Sequence, residues 1–149
     1  RIHIMKKIIW VAALILIASA CKTNPFTGQR TLNFYPNSQV FPTAFAQYDQ
    51  FLGENKVVTG TADAKMITKV GQRIAAASER WLTANGYAGY LKDYKWEYNL
   101  VNDKTVNAWC MPGGKIVFYT GILPICQGET GIAVVPWQFL IKLMVLVLR

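Results

Sequence analysis

Histidine is nearly absent from this chain of 149 residues, whose only imidazole belongs to His3. A hydrolytic zinc site needs at least two neutral imidazoles, a third ligand and a carboxylate beside the bound water. Serine and cysteine nucleophiles are ordinarily activated by a histidine as well. No cysteine pair has the spacing of a zinc finger, and no glycine-rich phosphate loop precedes a predicted helix. We therefore assign no catalytic and no metal-ligating residue.

A cluster of positive charge is also missing, although the formal net charge is +8. Five basic residues lie in the two terminal segments: Arg1, Lys6, Lys7, Lys142 and Arg149. The other basic residues are spread from Cys21 to Val135 without a run. Nucleic-acid binding usually needs a basic stripe on one face, so we exclude nucleic acid as a partner.

The N-terminal segment has the pattern of a bacterial export signal. Met5 is the expected start, and lysines, an apolar run and Ala18-Ser19-Ala20 precede Cys21. The apolar run is short for a spanning helix, which needs about 20 residues. We predict a signal peptide over residues 1–20, a lipidated Cys21 and a tether over residues 21–36. Ala18-Ser19-Ala20 also fits ordinary signal-peptidase cleavage, which would release a soluble product.

Two helices are predicted at the start of a domain that covers residues 37–135. Ser38 can cap the first, which runs toward Leu52 with apolar residues at helical spacing. Thr61 can cap the second, and Asn85-Gly86 ends it. The predicted core face of the second helix is Met66, Ile67, Val70, Ile74, Ala77 and Trp81.

Three extended segments follow the helices. Residues 94–100 alternate apolar and polar side chains, and residues 106–111 and 115–119 flank the turn Pro112-Gly113-Gly114. This order predicts the α+β class, with two helices followed by a small antiparallel sheet. Cys110 and Cys126 are interpreted as two buried thiols, with a disulfide as the alternative.

The hairpin sequence from Asn107 to Leu123 and the segment from Glu129 to Val135 resemble a known family. They match the residues before the His-Glu-x-x-His helix in zinc metalloendopeptidases of the HtpX and CAAX-prenyl-endopeptidase family. Residues 24–30 resemble the element that follows the lipidated cysteine in its bacterial lipoprotein branch. The resemblance implies an incomplete zincin-like domain, anchored by lipid in the bacterial cell envelope and facing the periplasm. Zinc is the cofactor of the intact family, and none is expected for this chain.

The resemblance also implies a substrate-binding strand. In the related enzymes the strand that matches residues 115–120 borders the cleft, and its exposed edge can pair with an extended peptide. The corresponding residues here are Asn107, Gly113, Gly114, Lys115, Val117 and Tyr119. In the alternative interpretation, Asn107 caps a turn and the glycines only fold the hairpin.

We therefore expect the N-terminal portion of a membrane-anchored zinc metalloendopeptidase, which in the intact relative cleaves envelope proteins. Without its zinc motif the chain would be inactive as given. The alternative is a non-catalytic envelope lipoprotein that binds extended or unfolded polypeptide through a sheet edge. The expected partners are a membrane, reached through the lipid anchor, and a polypeptide substrate or client.

Residues 136–149 depart from the family pattern, because they contain no acidic residue and no histidine where the zinc motif is expected. We interpret this apolar tail as the product of a shifted reading frame. Two bases into the Pro136 codon, the codons for Trp137 to Ile141 permit Met-Ala-Ile-Ser-His. In the rival interpretation the tail is genuine and faces a membrane.

Resequencing the encoding DNA tests the frame shift. We expect a His-Glu-x-x-His helix in another frame, between the codon for Ile132 and several hundred bases beyond Arg149. A confirmed tail with no such motif downstream would contradict this interpretation.

Overall fold

The structure, a computed structural model, describes residues 21–23, 30–32 and 37–135. Strands β1 (Cys21–Thr23) and β2 (Arg30–Leu32) pair as an antiparallel ribbon. The predicted signal peptide, the rest of the tether and the apolar tail lie outside the described residues. No described helix has the length and apolar character to cross a membrane.

Residues 37–135 form helices on both faces of a four-stranded sheet. The elements are α1 (Asn37–Glu54), β3 (Val57–Val58), α2 (Ala62–Ala84), β4 (Glu97–Val101), β5 (Ala108–Met111), β6 (Lys115–Tyr119), a 3₁₀ turn (Thr120–Ile122) and α3 (Leu123–Cys126). A further helix, α4, is described over residues 129–135. The predicted α+β class is confirmed.

The sheet has the order β3-β4-β6-β5. β5 and β6 form the predicted hairpin, but β6 also pairs with β4 in parallel, with Glu97 opposite Lys115. The prediction of a wholly antiparallel sheet is therefore wrong. Four of the five residues of β6 are buried, as is typical of a strand covered on both faces. This burial fits the central position of β6 beside β4, and β5 lies at the outside.

The two faces of the sheet carry different helices because successive strand residues point to opposite sides. Val101 and Val117 pack with Tyr48 of α1. Leu100, Ile116 and Phe118 pack instead with residues of α2 and α4: Ile67, Val70 and Ile132. The hairpin is thus enclosed between α1 on one face and two helices on the other.

The helix boundaries mostly agree with the capping signals in the sequence. The Thr61 hydroxyl accepts a hydrogen bond from the Ala64 N–H at 3.2 Å, and Asn85 caps the end of α2. α1 already begins at Asn37, so Ser38 lies inside its first turn rather than at the cap. The predicted core positions of Ala77 and Trp81 are wrong: both are exposed, Trp81 by 45%, and Leu82 is buried beside Trp81.

α2 approaches the sheet most closely at Gly71. The Tyr98 hydroxyl donates a hydrogen bond to the Gly71 carbonyl at 2.8 Å. A Cβ atom on Gly71 would lie 2.2 Å from Cε1 of the Tyr98 ring, which is far inside van der Waals contact. The missing side chain therefore sets the distance between α2 and β4.

Gly71→Ala tests this close approach. Alanine raises helix propensity by about 1 kcal/mol, but overpacking against Tyr98 costs about 1–3 kcal/mol. We expect a net loss in the free energy of unfolding, measured by urea denaturation. Gly53→Ala is the control, since Gly53 also lies in a helix and a Cβ atom there meets nothing within 4 Å. Equal stability changes in the two variants would contradict the assigned contact.

Candidate functional site

The hairpin turn forms as the two glycines predict. Gly113 and Gly114 have φ angles of 84° and 88°, in the left-handed region that favours glycine. Their carbonyls accept hydrogen bonds from the N–H groups of Lys95 at 2.8 Å and Glu97 at 3.0 Å. Cβ atoms at the two positions would collide with the Phe45 ring and the Trp96 ring. The glycines thus seat the turn against β4 beneath aromatic side chains.

β6 does not offer the exposed edge that the resemblance implied. It lies between β4 and β5, so its main-chain groups already have strand partners on both sides. Lys115 is 6% exposed, Val117 is fully buried and Tyr119 is half-buried. These side chains point under α1, and the prediction that this strand presents an open edge is wrong.

Among the described residues, β5 ends the sheet on this side. The Tyr119 N–H donates to the Asn107 carbonyl at 3.1 Å, so Asn107 extends the ladder. In an antiparallel ladder such pairs recur at every second residue, which turns the main chain of Ala108 and Cys110 outward. Ala108 is only 3% exposed, whereas Cys110 is half-buried. The edge is accordingly short and centred on Cys110.

A polar network lies under α1, at the base of the hairpin. Lys115 Nζ contacts Glu97 Oε2 at 2.6 Å. The Asn99 amide donates to Glu97 Oε1 at 2.9 Å and to the Tyr48 hydroxyl at 3.0 Å. That hydroxyl donates in turn to the Ile116 carbonyl at 3.2 Å. The network joins α1, β4 and β6 through side chains whose charges and hydrogen bonds are satisfied.

The aromatic rings of α1 complete the surroundings of the Lys115 ammonium. Its Nζ lies 5.0 Å from the centroid of Phe45 and 5.2 Å from that of Tyr48, within the range of a cation–π interaction. Burial raises the pKa of Tyr48 well above its usual range. Tyr48 is therefore a neutral hydrogen-bonding group at neutral pH.

The sequence contains a signal for this network that the family resemblance obscured. Glu97 stands between Trp96 and Tyr98, and Lys115 opens the apolar run of β6. Two opposite charges, each at the start of a strand rich in apolar residues, indicate an ion pair at the edge of the core more readily than two unrelated exposed groups. The pairing itself depends on the parallel register of β4 and β6.

The described residues do not fit a zinc site. No group of three His, Cys, Asp or Glu side chains comes together in the part of the chain that the structure describes. Glu129 is held by Lys69 at 2.7 Å and Arg73 at 3.3 Å, and the hydrogen bond from Lys69 lowers its pKa.

Both cysteines of the domain are free thiols. Burial raises the pKa of Cys110 to about 11 and also raises that of Cys126. The thiolate is the form that attacks carbonyls and ligates metals. These two side chains are therefore protonated and inert at neutral pH.

The chain is similar over part of its length to a class of metal-dependent endopeptidases. The chain is 49% identical over 45 residues to the mitochondrial metalloendopeptidase OMA1 of Schizosaccharomyces pombe. It is 49% identical over 47 residues to OMA1 of Saccharomyces cerevisiae, and 38% over 52 residues to OMA1 of Arabidopsis thaliana.

The matches cover 30%, 30% and 35% of this chain, and only 13%, 14% and 11% of those three proteins. No protein-family profile matches the chain. No solved structure matches it.

These relatives confirm the resemblance to a metalloendopeptidase and correct the predicted location. They are mitochondrial proteins of two yeasts and a plant, so the assignment to a bacterial cell envelope is wrong. That assignment depended on charged, apolar and small residues near the N-terminus, a pattern that does not by itself specify a compartment. Lipidation of Cys21 stays a prediction, since the structure describes only the backbone there.

Methionine substitutions test the ion pair between the buried Lys115 and the partly exposed Glu97. The Lys115 side chain is 8% exposed and that of Glu97 is 41% exposed, so only the carboxylate can regain water when its partner is removed. We expect Glu97→Met to cost about 3 kcal/mol and Lys115→Met about 1 kcal/mol. The double variant should be more stable than Glu97→Met alone. Urea denaturation measures all three, and the reverse order of the single variants would contradict the proposed burial.

Proposed function

We propose that this chain supplies the N-terminal part of a zinc metalloendopeptidase domain of the HtpX and CAAX-prenyl-endopeptidase type. The observation that carries this proposal is the 49% identity over 45 residues to a mitochondrial metalloendopeptidase. The resemblance in the sequence puts the zinc motif directly after Val135. In the complete protein, bound zinc would supply the activation of water for peptide hydrolysis, and this chain's residues would position the helix that binds the metal.

The packing of α4 supports that positioning role. Ile132 is 1% exposed and belongs to the core beneath Ile116 and Phe118. One turn earlier, Glu129 forms ion pairs with Lys69 and Arg73 of α2. An apolar contact and a charged contact together fix the rotation of α4 about its axis. Residues that continue this helix are thereby directed to a defined side of the sheet.

The polypeptide substrate would lie beside β5 in this proposal. Cys110 turns its main-chain N–H and carbonyl outward, where an extended peptide can pair with them. Specific side-chain recognition at this edge falls to the half-buried residues of β5, Trp109 and Met111. The edge serves to align a peptide, and the chemistry belongs to the zinc-binding segment.

The second candidate function is polypeptide binding without catalysis, through the same edge. It is favoured by the position of β5 at the end of the described sheet and by the lack of a metal-binding group among the described residues. The 3% exposure of Ala108 limits the length of peptide that can pair. This candidate therefore predicts weak binding by the chain as it stands.

The proposal is tested in the full-length protein after its reading frame has been restored. We expect about one zinc per molecule, as a catalytic zinc site requires, and cleavage of unfolded casein that stops on chelation. Ile132→Asp should abolish zinc binding and cleavage, because it removes the core contact of α4. Val134→Asp should retain both, since Val134 lies in the same helix and is 50% exposed.

Circular dichroism of the Ile132 variant separates misplacement of α4 from general unfolding. A restored protein that binds no zinc would overturn the proposal. Peptide binding by the unrestored chain, together with an inactive restored protein, would instead support the non-catalytic candidate.

A further inference from the structure

β4 has a second edge that is only partly covered. β3 is two residues long and pairs Val57 with Val101 and Val58 with Leu100. The ladder is extended on one side by the Asn102 N–H, which donates to the Lys56 carbonyl at 2.9 Å. On the other side Gly60, with φ of 76°, turns the chain away. Pairing along β4 therefore stops at Leu100.

The main-chain groups on the N-terminal side of Leu100 face outward at alternate residues. The N–H groups of Lys95 and Glu97 donate toward the hairpin turn, to Gly113 and Gly114. Alternate residues of a strand direct their main chain to opposite edges. Trp96 and Tyr98 consequently direct theirs away from the hairpin, and no described strand pairs with them.

A groove of about 320 Å³ lies between the N-terminal half of α2 and the part of β4 from Tyr98 to Leu100, so it reaches this edge at Tyr98. Its walls include Thr59, Lys65, Thr68, Lys69 and Gln72, and no carboxylate lines it. Lys65 is exposed, and the Lys69 side chain is 63% exposed although it pairs with Glu129. The groove therefore combines an unpaired strand edge with a wall that carries the positive charge of Lys65, while the charge of Lys69 is already compensated by Glu129.

We propose that this groove binds an extended, acidic segment of a partner polypeptide, which adds as a strand beside Trp96 and Tyr98. An unpaired strand edge is a template for such addition. Lys65 and Lys69 are four residues apart on α2, so their Cβ atoms are about 6 Å apart. In a strand, residues i and i+2 have their side chains on the same face and lie about 6.7 Å apart. The wall thus favours a carboxylate beside Lys65, and a second carboxylate two positions along the bound segment can reach the exposed Lys69 only in competition with Glu129.

This surface is separate from the β5 edge, and its binding does not depend on the proposed peptidase activity. β5 and β3 lie at opposite ends of the described sheet. Binding at the β4 edge would recruit a partner protein and leave the other edge open. The two sites can therefore be distinguished by the amide that becomes protected.

The test uses the full chain and a fluorescent hexapeptide of alternating glutamate and valine. We expect binding about tenfold tighter than that of the same peptide with lysine in place of glutamate. Hydrogen exchange measured by NMR should slow at the Tyr98 amide and stay unchanged at the Cys110 amide. A peptide in which every backbone amide is methylated should not bind, since it has no main-chain donor for β4 in either strand direction.

Lys65→Glu should weaken binding of the glutamate peptide about fivefold, as expected for a partly exposed charge pair. Lys92→Glu is the matched control, because it makes the same change of charge at an exposed residue that does not line the groove. Equal weakening by both variants, equal affinity for the two peptides, or no binding would overturn the proposal. Protection of Cys110 instead of Tyr98 would also overturn it and assign the peptide to the β5 edge.

Discussion

The ion pair between Lys115 and Glu97 is the constraint on which the arrangement of the sheet depends. The two residues are register partners in the parallel pair of β4 and β6, and their charged atoms lie 2.6 Å apart. A slip of one residue would move the side chains of one strand to the opposite face, where one charge would meet the apolar core beneath α2. The pair therefore opposes a change of register, and through Asn99 and Tyr48 it also fixes α1.

The close approaches made by glycine depend on the same register. Gly113 and Gly114 bring the turn against Phe45 and Trp96, while Gly71 brings α2 against the Tyr98 ring. These contacts lie on both faces of β4, so α1, the hairpin and α2 are packed against one strand. Because protein interiors are close-packed, a shift of one element is transmitted to the others. α4, which joins this core through Ile132, inherits a fixed position from it.

For function, the sheet can be divided into a closely packed centre and two edges whose main-chain groups lack a strand partner among the described residues. The centre holds polar side chains that are hydrogen-bonded or ion-paired with one another, from the buried Lys115 to the 41% exposed Glu97. The edges at Cys110 and at Trp96 and Tyr98 carry main-chain groups that an extended peptide can use. This division suits a segment that positions other parts of a protein. It is compatible with the metalloendopeptidases to which the chain is similar over about a third of its length.

The sequence alone determined the helices, the hairpin turn and the α+β class, because local signals such as Thr61, Asn85-Gly86 and Pro112-Gly113-Gly114 act over a few residues. It also indicated the metalloendopeptidase resemblance. Only the tertiary structure decided that β4 and β6 are parallel, that β6 is central, and that Lys115 is buried rather than part of a cleft. Strand order depends on contacts between residues far apart in sequence, and alternation of apolar and polar side chains is the same for either strand direction. Helical periodicity also predicted Trp81 in the core. Trp81 is exposed because it lies near the end of α2, beyond the part of the helix that packs on the sheet.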